Sequence, residues 1–324
     1  MTAAEAHAGF APVPRCWVCG NDAFNPLSVA RFDLHQYQQQ DPELWRYSGA
    51  KVRLLRCRSC GFGQPEALPA VPRYFERMYD QKWAPDWMET ELHATYKDLI
   101  FREVLDGLER RVPRELRTLL DVGAHVGRFI HLASGRGWSA EGIELNPETA
   151  AFAARATGLT VHRMDAAALA EDHRHRYGAV TLTDVLEHIP EPLAILRTLR
   201  RLMEPGGWIA VKVPHGRAQL VKERARSLVK RGYEGAVGTN LVHVNQFGPR
   251  SLRLALERAG FSDVSLTTGA PELPPATSLR ERPKRMAGNA VRWAVWRASQ
   301  LLPGGLESPL GLHLQAFAQA RGPA

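Results

Sequence analysis

Residues 119–128, Leu-Leu-Asp-Val-Gly-Ala-His-Val-Gly-Arg, constrain the fold more than any other part of the sequence. The apolar run predicts a short buried strand, covered on both faces as parallel strands are. Gly123 and Gly127 then allow a tight turn into a helix, because glycine adopts backbone angles that other residues avoid, and they let a ligand approach the main chain. This pattern is typical of a nucleotide-type binding loop. Its predicted ligand-binding residues are Asp121, Gly123, Ala124, His125 and Gly127.

The spacing between this turn and the next acid in the sequence indicates a ligand contact. Glu144 lies 21 residues after Gly123, at the end of a second strand-like run over residues 140–145. An acid about 20 residues beyond a glycine turn, at the tip of the neighbouring strand, is placed to accept hydrogen bonds from ribose hydroxyls. A dinucleotide fingerprint has Gly-x-Gly-x-x-Gly for its pyrophosphate, whereas this turn reads Gly-x-His-x-Gly. We therefore expect Glu144 and Leu145 to contact a nucleoside that carries no pyrophosphate.

Strand-like and helix-like segments alternate after the turn. The helical segments are 129–136, 147–157 and 193–202, and the strand segments are 140–145, 160–164, 179–183 and 208–213. This alternation predicts an α/β fold with a doubly wound parallel sheet, which binds ligands beyond the carboxyl ends of its strands. Asp165 and Ala166 follow the third strand, where they would contact an adenine. Asp184, Val185 and His188 follow the fourth strand, at the predicted mouth of the site.

The N-terminal part has a cysteine pattern that predicts a metal site. Cys16-x-x-Cys19-Gly and Cys57-x-x-Cys60-Gly are two knuckles, and they hold all four cysteines of the chain. Each knuckle presents two sulfurs on one turn, and four thiolates in tetrahedral array favour Zn²⁺. Iron in the same cage and unmetallated thiols are the alternatives. A closed Cys₄ site leaves no position for water, so we expect a structural metal that does no chemistry.

The positive charge is concentrated in two segments. The formal net charge is +8, yet residues 216–231 and 280–300 each carry six Lys or Arg against one Glu. Such segments attract a phosphorylated substrate, a membrane surface or nucleic acid, or are simply solvated helix faces. Both look amphipathic and could form a lid, a dimer contact or a surface for a lipid-linked acceptor. Without an apolar run of 18 residues or a signal pattern, we expect a soluble cytoplasmic protein.

The 119–128 stretch resembles motif I of the class I S-adenosylmethionine (SAM) dependent methyltransferases, with His125 at the place of the second glycine. Residues 179–190, 202–213 and 243–261 are similar to later motifs of the same family. The resemblance implies a Rossmann-like seven-stranded sheet, with SAM as cofactor and the loop, acid and strand-end residues named above as its contacts. The Cys₄ knuckles beside such a core resemble zinc-bearing methyltransferases of sugar and natural-product pathways. That group often has His-Glu-His before the position of Phe247, whereas here only His243 matches.

The resemblance also predicts the organisation of the chain. We expect a zinc-binding module over residues 1–70 and a helical lead-in over 71–118 that covers the SAM site, with helical spacing at 90–111. The methyltransferase core should then extend over 119–324, with insertions at 214–248 and 270–309.

Three histidines are the candidate catalytic residues. His188, His215 and His243 lie at or after the fourth and fifth strands, near the expected acceptor, and imidazole titrates close to neutral pH. Methyl transfer to a hydroxyl needs alignment and a base, so these residues are proposed to act on a small-molecule or glycan-type acceptor. The acceptor could be phosphorylated or lipid-linked. Two alternatives stay open: a zinc-ribbon RNA methyltransferase, and a non-catalytic interaction protein on a degenerate SAM-binding fold.

Overall fold

The computed structural model describes residues 9–79, 85–172, 176–229, 239–276, 278–302, 304–308 and 310–321. Its N-terminal strands form two small antiparallel sheets. Strand β1 (Phe10–Pro12) pairs with β5 (Ala67–Pro69), and the other sheet has the order β2 (Phe24–Arg31), β3 (Lys51–Cys57), β4 (Gly63–Pro65). A short helix, α1 (Pro42–Trp45), lies between β2 and β3. The first cysteine knuckle precedes β2, and the second connects β3 to β4.

Aromatic side chains fill the core of this N-terminal part. Phe10 contacts Phe32 and Tyr47 edge-on, with ring centroids 5.6 and 5.1 Å apart. Tyr74, at the start of α2 (Tyr74–Tyr79), packs against Phe32 at 6.1 Å. Each such pair contributes about 0.5–1.5 kcal/mol beyond the burial of its area. The cysteine knuckles instead share a core with the large sheet, in which Cys60 and Phe62 are buried.

The lead-in to the large sheet consists of two helices, α3 (Pro85–His93) and α4 (Asp98–Glu109). Helical spacing at 90–111 indicated one helix, but the structure interrupts it between His93 and Asp98. In a continuous helix, the Leu92 carbonyl would accept from the amide four residues later in the chain. It accepts instead from Nη1 of Arg128 at 2.6 Å. A tertiary contact therefore ends α3.

The large sheet has seven strands in the order β11-β12-β10-β9-β6-β7-β8. They are β6 (Thr118–Val122), β7 (Ser139–Ile143), β8 (Val161–His162), β9 (Tyr177–Thr183), β10 (Met203–Pro214), β11 (Phe261–Thr268) and β12 (His313–Ala320). Strands β6 to β10 pair in parallel, and β12 is antiparallel to both β10 and β11. The predicted fold class, a doubly wound α/β fold with a seven-stranded sheet, is confirmed.

Helices cover this sheet and connect its strands. They are α5 (Arg128–Ser134), α6 (Pro147–Thr157), α7 (Ala166–Asp172), α8 (Pro192–Leu202) and α10 (Pro249–Arg258). Helix α6 begins where predicted because the Asn146 side chain accepts from the amides of Glu148 and Thr149, and Pro147 suits the first helical position. Gly158 ends it in the left-handed conformation. On α4, one apolar face with Ile100, Val104 and Leu108 is buried.

Two further helices carry the basic segments. Helix α9 (Gly216–Val229) follows β10, and α11 (Arg282–Leu301) lies between β11 and β12. Trp296 and Ser299 anchor α11 to Thr268 of β11, whereas Met286 and Trp293 are 62% and 50% exposed. Parts of both predicted insertions, residues 230–238, 277, 303 and 309, lie outside the described residues. Among the described helices, none is long and apolar enough to cross a bilayer.

Candidate functional site

The turn between β6 and α5 is held in an unusual backbone conformation. Gly123 and Gly127 have φ of +77° and +84°, and His125 has +52°. The amides of Gly123 and Ala124 both donate to the Ile143 carbonyl at 2.9 Å, which ties the turn to the end of β7. A Cβ at position 123 would lie 2.7 Å from Val185. Only glycine fits there, and Val185, a predicted contact, lies directly against the turn.

Glu144 fixes the other side of this loop. Its Oε2 accepts from the His125 amide and its Oε1 from the Asn146 amide, both at 2.8 Å. Burial raises the pKa of this carboxyl above its ordinary range. Each oxygen retains a second lone pair, so the carboxylate can still accept from a ribose hydroxyl. Leu145 beside it is 52% exposed.

Asp121 lies beneath the turn and is 4% exposed. It accepts from Oγ1 of Thr181 on the neighbouring strand β9 at 2.6 Å. Burial raises the pKa of Asp121 to about 7, although the hydrogen bond from Thr181 opposes this rise. The acid therefore connects β6 to β9 and responds to pH near neutrality.

Asp165 and Ala166 lie at the carboxyl end of β8, as the sequence predicted. Asp165 is exposed, and its Oδ1 accepts from the Ala168 amide at 2.8 Å at the start of α7. Ala166 is buried in the main core. Their role as adenine contacts stays a prediction.

The lead-in helices close over the glycine turn. Trp87 of α3 contacts His125 edge-on, with ring centroids 5.3 Å apart. Arg128 joins Asp98 of α4 through its Nε and Nη2 at 2.9 and 2.5 Å. Burial lowers the pKa of His125 to about 4, so the ring is neutral at physiological pH. Where SAM methyltransferases usually have a second glycine, this chain has a neutral imidazole packed against tryptophan.

A buried ion pair follows β9. Lys212 of β10 is 1% exposed and donates to Asp184 Oδ1 at 2.5 Å, while Lys97 Nζ lies 3.8 Å from Oδ2 of the same carboxylate. Burial alone would raise the pKa of Asp184, but the charges of Lys212 and Lys97 outweigh it and hold the pKa below its ordinary range. Neither lysine was predicted from the sequence. A lysine inside the apolar run 208–213 was the available signal.

Next to this pair, a carboxyl and two imidazoles converge. Candidate ligand atoms of Glu187, His188 and His243 all lie within 4.8 Å of one another. The two rings meet edge-on at 4.8 Å, and His188 Nδ1 lies 2.5 Å from the Val242 carbonyl. Burial and the nearby Asp184 raise the pKa of Glu187, whose oxygens have no hydrogen-bond partner among the described residues. Burial therefore favours the neutral form of the Glu187 carboxyl.

Both histidines of the cluster are neutral at physiological pH. Burial lowers the pKa of His243 to about 4, and it lowers that of His188 as well. His215 does not belong to this cluster. Its Nδ1 accepts from the Ala218 amide at 3.2 Å and its Nε2 lies 3.0 Å from the Leu306 carbonyl. Because backbone groups engage both nitrogens, His215 fixes the start of α9 in this structure.

The two knuckles bring the four cysteine sulfurs together. The Sγ atoms of Cys16 and Cys60 are 3.6 Å apart, and those of Cys19 and Cys57 are 3.4 Å apart. A tetrahedral Zn²⁺ site with Zn–S bonds near 2.3 Å requires sulfurs roughly 3.8 Å apart, so the donor set fits this ion. A hydrogen bond from Cys60 lowers the pKa of Cys16 to about 5, whereas burial raises that of Cys57. Only a bound cation would make all four thiolates favourable.

Comparisons with known proteins agree with this geometry. A family model described as "Methyltransferase domain" matches residues 96–266. The ubiquinone biosynthesis O-methyltransferase of Paraburkholderia phytofirmans is 34% identical over 98 residues, which are 29% of this chain and 42% of that protein. The chain thus spans less than half the length of this relative.

Solved structures share the fold at low identity. One is a chain from a complex between the Haloferax volcanii Trm112 methyltransferase activator and a methyltransferase, with a TM-score of 0.51, 16% identity and coverage of 78% of this chain and 100% of that chain. Another is Haemonchus contortus phosphoethanolamine N-methyltransferase 2, with a TM-score of 0.51, 14% identity and coverage of 93% and 69%.

Proposed function

Since this chain belongs to the methyltransferase-domain family and has the class I SAM-dependent fold, we propose that it methylates a hydroxyl of a small-molecule, glycan-type acceptor. The observation that supports this most is the position of the His188–His243 pair. His188 follows β9, the strand beside β6 and its glycine turn, and His243 packs against His188 where donor and acceptor would meet. The relative from Paraburkholderia, named as an O-methyltransferase, is consistent with an oxygen acceptor.

The residues of the turn fit SAM. Its sulfonium supplies the methyl group when it is bound. The glycines let Val185 pack against position 123, and Ala153 and Thr157 of α6 against position 127, which gives the turn its tight shape. The Glu144 carboxylate is aimed at the same loop by two amides. Trp87 and the Arg128–Asp98 pair hold α3 and α4 over this loop and would exclude water from it.

His243 is the proposed proton acceptor. It takes the proton of the acceptor hydroxyl while the oxygen bonds to the methyl carbon and the carbon–sulfur bond breaks. His188, held at the Val242 carbonyl, positions the ring of His243 by the edge-on contact. A base must be unprotonated to accept a proton, and burial favours that form of His243. The charge of Asp184 raises the pKa of His243 and so favours the proton transfer.

We further propose that the acceptor carries an anionic group such as a phosphate. Lys97 supports this, because its side chain is 27% exposed and its ammonium lies 3.8 Å from Asp184, a distance that leaves it able to meet a second anion. Lys212, in contrast, is buried and committed to Asp184. The basic helices α9 and α11 would add long-range attraction for the same ligand.

The test pairs two histidine variants. Transfer of labelled methyl from SAM would be screened over phosphorylated and neutral sugars. We expect His243→Gln to lower the transfer rate by about 10²- to 10⁴-fold, as loss of a general base does, with S-adenosylhomocysteine affinity kept. His131→Gln, on the exposed face of α5, is the matched control and should leave the rate unchanged.

The other outcomes are equally informative. Equal rates for the two variants would rule out His243 as the base. Absence of S-adenosylhomocysteine binding would favour the non-catalytic alternative. Binding of RNA with a steep dependence on salt concentration would favour the RNA methyltransferase.

A further inference from the structure

The second cysteine knuckle is directly bonded to the segment that carries His243. The Gly63 amide donates to the Gln246 carbonyl at 2.9 Å, and the Gln246 amide donates back to the Gly63 carbonyl at 2.8 Å. This antiparallel bridge begins three residues after Cys60. A Cβ at position 63 would lie 2.7 Å from the Cβ of Gln246, so the two backbones approach as closely as glycine permits. Residues 242–247 are called the strap below.

Side-chain packing reinforces this bridge. Phe62 is fully buried and contacts the ring of Phe247 with centroids 5.1 Å apart. The Cys57 amide donates to the Phe62 carbonyl at 2.8 Å, which closes the knuckle behind the ring. Gln64, also fully buried, reaches the first knuckle by accepting from the Trp17 amide and donating to the Arg15 carbonyl, each at 2.9 Å. Packing and hydrogen bonds therefore connect both knuckles to the strap.

The opposite edge of the strap holds the turn that carries the other cluster residues. The Asn245 amide donates to the Glu187 carbonyl at 3.0 Å. The Asn245 side chain donates to the carbonyls of Leu186 and Ile189 at 2.8 and 2.6 Å. Asn245 is 2% exposed, and three of its hydrogen bonds end on residues 186–189.

We infer that metal bound by the four cysteines positions the His188–His243 pair through the strap, with Gly63, Asn245 and Gln246 as positioning residues. The knuckle closes on the metal, Phe62 and Gly63 then fix Gln246 and Phe247, and Asn245 fixes residues 186–189. Loss of the metal would let the knuckle relax and would release the strap before the sheet. The role of the His188–His243 pair in methyl transfer rests on the proposed function. The connection between the metal site and this pair through the strap does not depend on it.

Hydrogen exchange of the metal-loaded full-length protein tests the connection without any acceptor. After removal of the metal with a chelator, we expect the amides of residues 245 and 246, and that of His188, to exchange at least about tenfold faster, while β6 and β9 stay protected. Unchanged exchange in the strap after verified metal loss would overturn the inference.

A pair of glycine variants separates the strap from general stability. Gly63→Ala should accelerate exchange of the same amides with the metal content unchanged, because the added Cβ pushes against Gln246. Gly248→Ala, at a position where a Cβ meets nothing within 4 Å, is the control and should behave as the wild type. The double variant Gly63→Ala with Gln246→Gly should restore protection of the His188 amide. Strap protection that survives in Gly63→Ala would refute the connection even if metal removal unfolds the whole protein.

S-adenosylhomocysteine titration makes the two hypotheses distinguishable. Gly63→Ala should bind it within about twofold of the wild type, since the glycine turn and Glu144 are not touched. A protein that binds none at all would end the methyltransferase proposal, yet the exchange results would still decide whether the metal holds the strap.

Discussion

Substitution of Glu144 tests the ligand site most directly. In Glu144→Gln, one carboxylate oxygen becomes an NH₂ group, which faces an amide donor of either His125 or Asn146 instead of accepting from it. A hydrogen bond to a charged group contributes about 1.5–3 kcal/mol, and a buried donor left unsatisfied costs a similar amount. One of the two amide contacts is lost, together with the negative charge available to the ribose.

We therefore expect S-adenosylhomocysteine affinity to fall by about 1.5–3 kcal/mol, roughly 10- to 150-fold. Isothermal titration calorimetry at pH 8 measures the affinity. Thermal unfolding without ligand shows how much of the affinity loss comes from a less stable turn. Glu115→Gln, at an exposed position before β6, is the control and should change neither quantity. Wild-type affinity in Glu144→Gln would refute the assignment of this carboxylate to the ribose.

Two further substitutions test the buried charges. Asp121→Asn should raise the melting temperature at pH 8 but not at pH 4, because the raised pKa of Asp121, about 7, means that the folded state favours the protonated acid and loses that stability as pH rises from about 4 to about 7. The gain, a few kcal/mol at most, would be seen by calorimetry, and a destabilised variant at pH 8 would contradict it. Lys212→Met should cost about 3–5 kcal/mol in denaturant unfolding, because it leaves the Asp184 carboxylate buried without its closest cation; Lys284→Met, on the exposed surface of α11, is the control, and equal loss in both would refute the pair.

The parts of the fold that local sequence determines could be predicted. Glycines 123 and 127 have the positive φ that their spacing implied, and α6 begins at Pro147 behind its Asn146 cap. The break between α3 and α4 could not be predicted from the helical spacing of apolar residues, because its cause is Arg128, more than 30 residues away. The same reason hid the ion pair of Asp184 with Lys97 and Lys212, which three different elements bring together.

For the candidate site, the sequence located single residues but not their partners. His188 and His243 were chosen because they follow strands, yet their contact depends on Asn245 and on the docked cysteine knuckle. His215 satisfied the same criterion, and it holds the chain at Leu306 and Ala218 instead. A histidine's position after a strand thus makes it a candidate catalytic residue. The hydrogen bonds between its ring and the backbone decide whether the ring is available for catalysis.

The charges around the histidine pair suit a reaction in which positive charge moves from the donor to the base. When a hydroxyl is methylated, the sulfonium becomes neutral and the imidazole becomes charged. Burial disfavours that imidazolium, but the Asp184 carboxylate acts on His188 and His243 in the opposite direction and raises their pKa values. Lys212 favours the ionised form of this carboxylate, whereas burial favours the neutral form of Glu187 beside it. The ammonium groups of Lys97 and Lys212 oppose this effect, because each lowers the pKa of one of the two histidines. Lys212 is also the closest cation to Asp184, so removing it should disturb the chemistry as well as the stability.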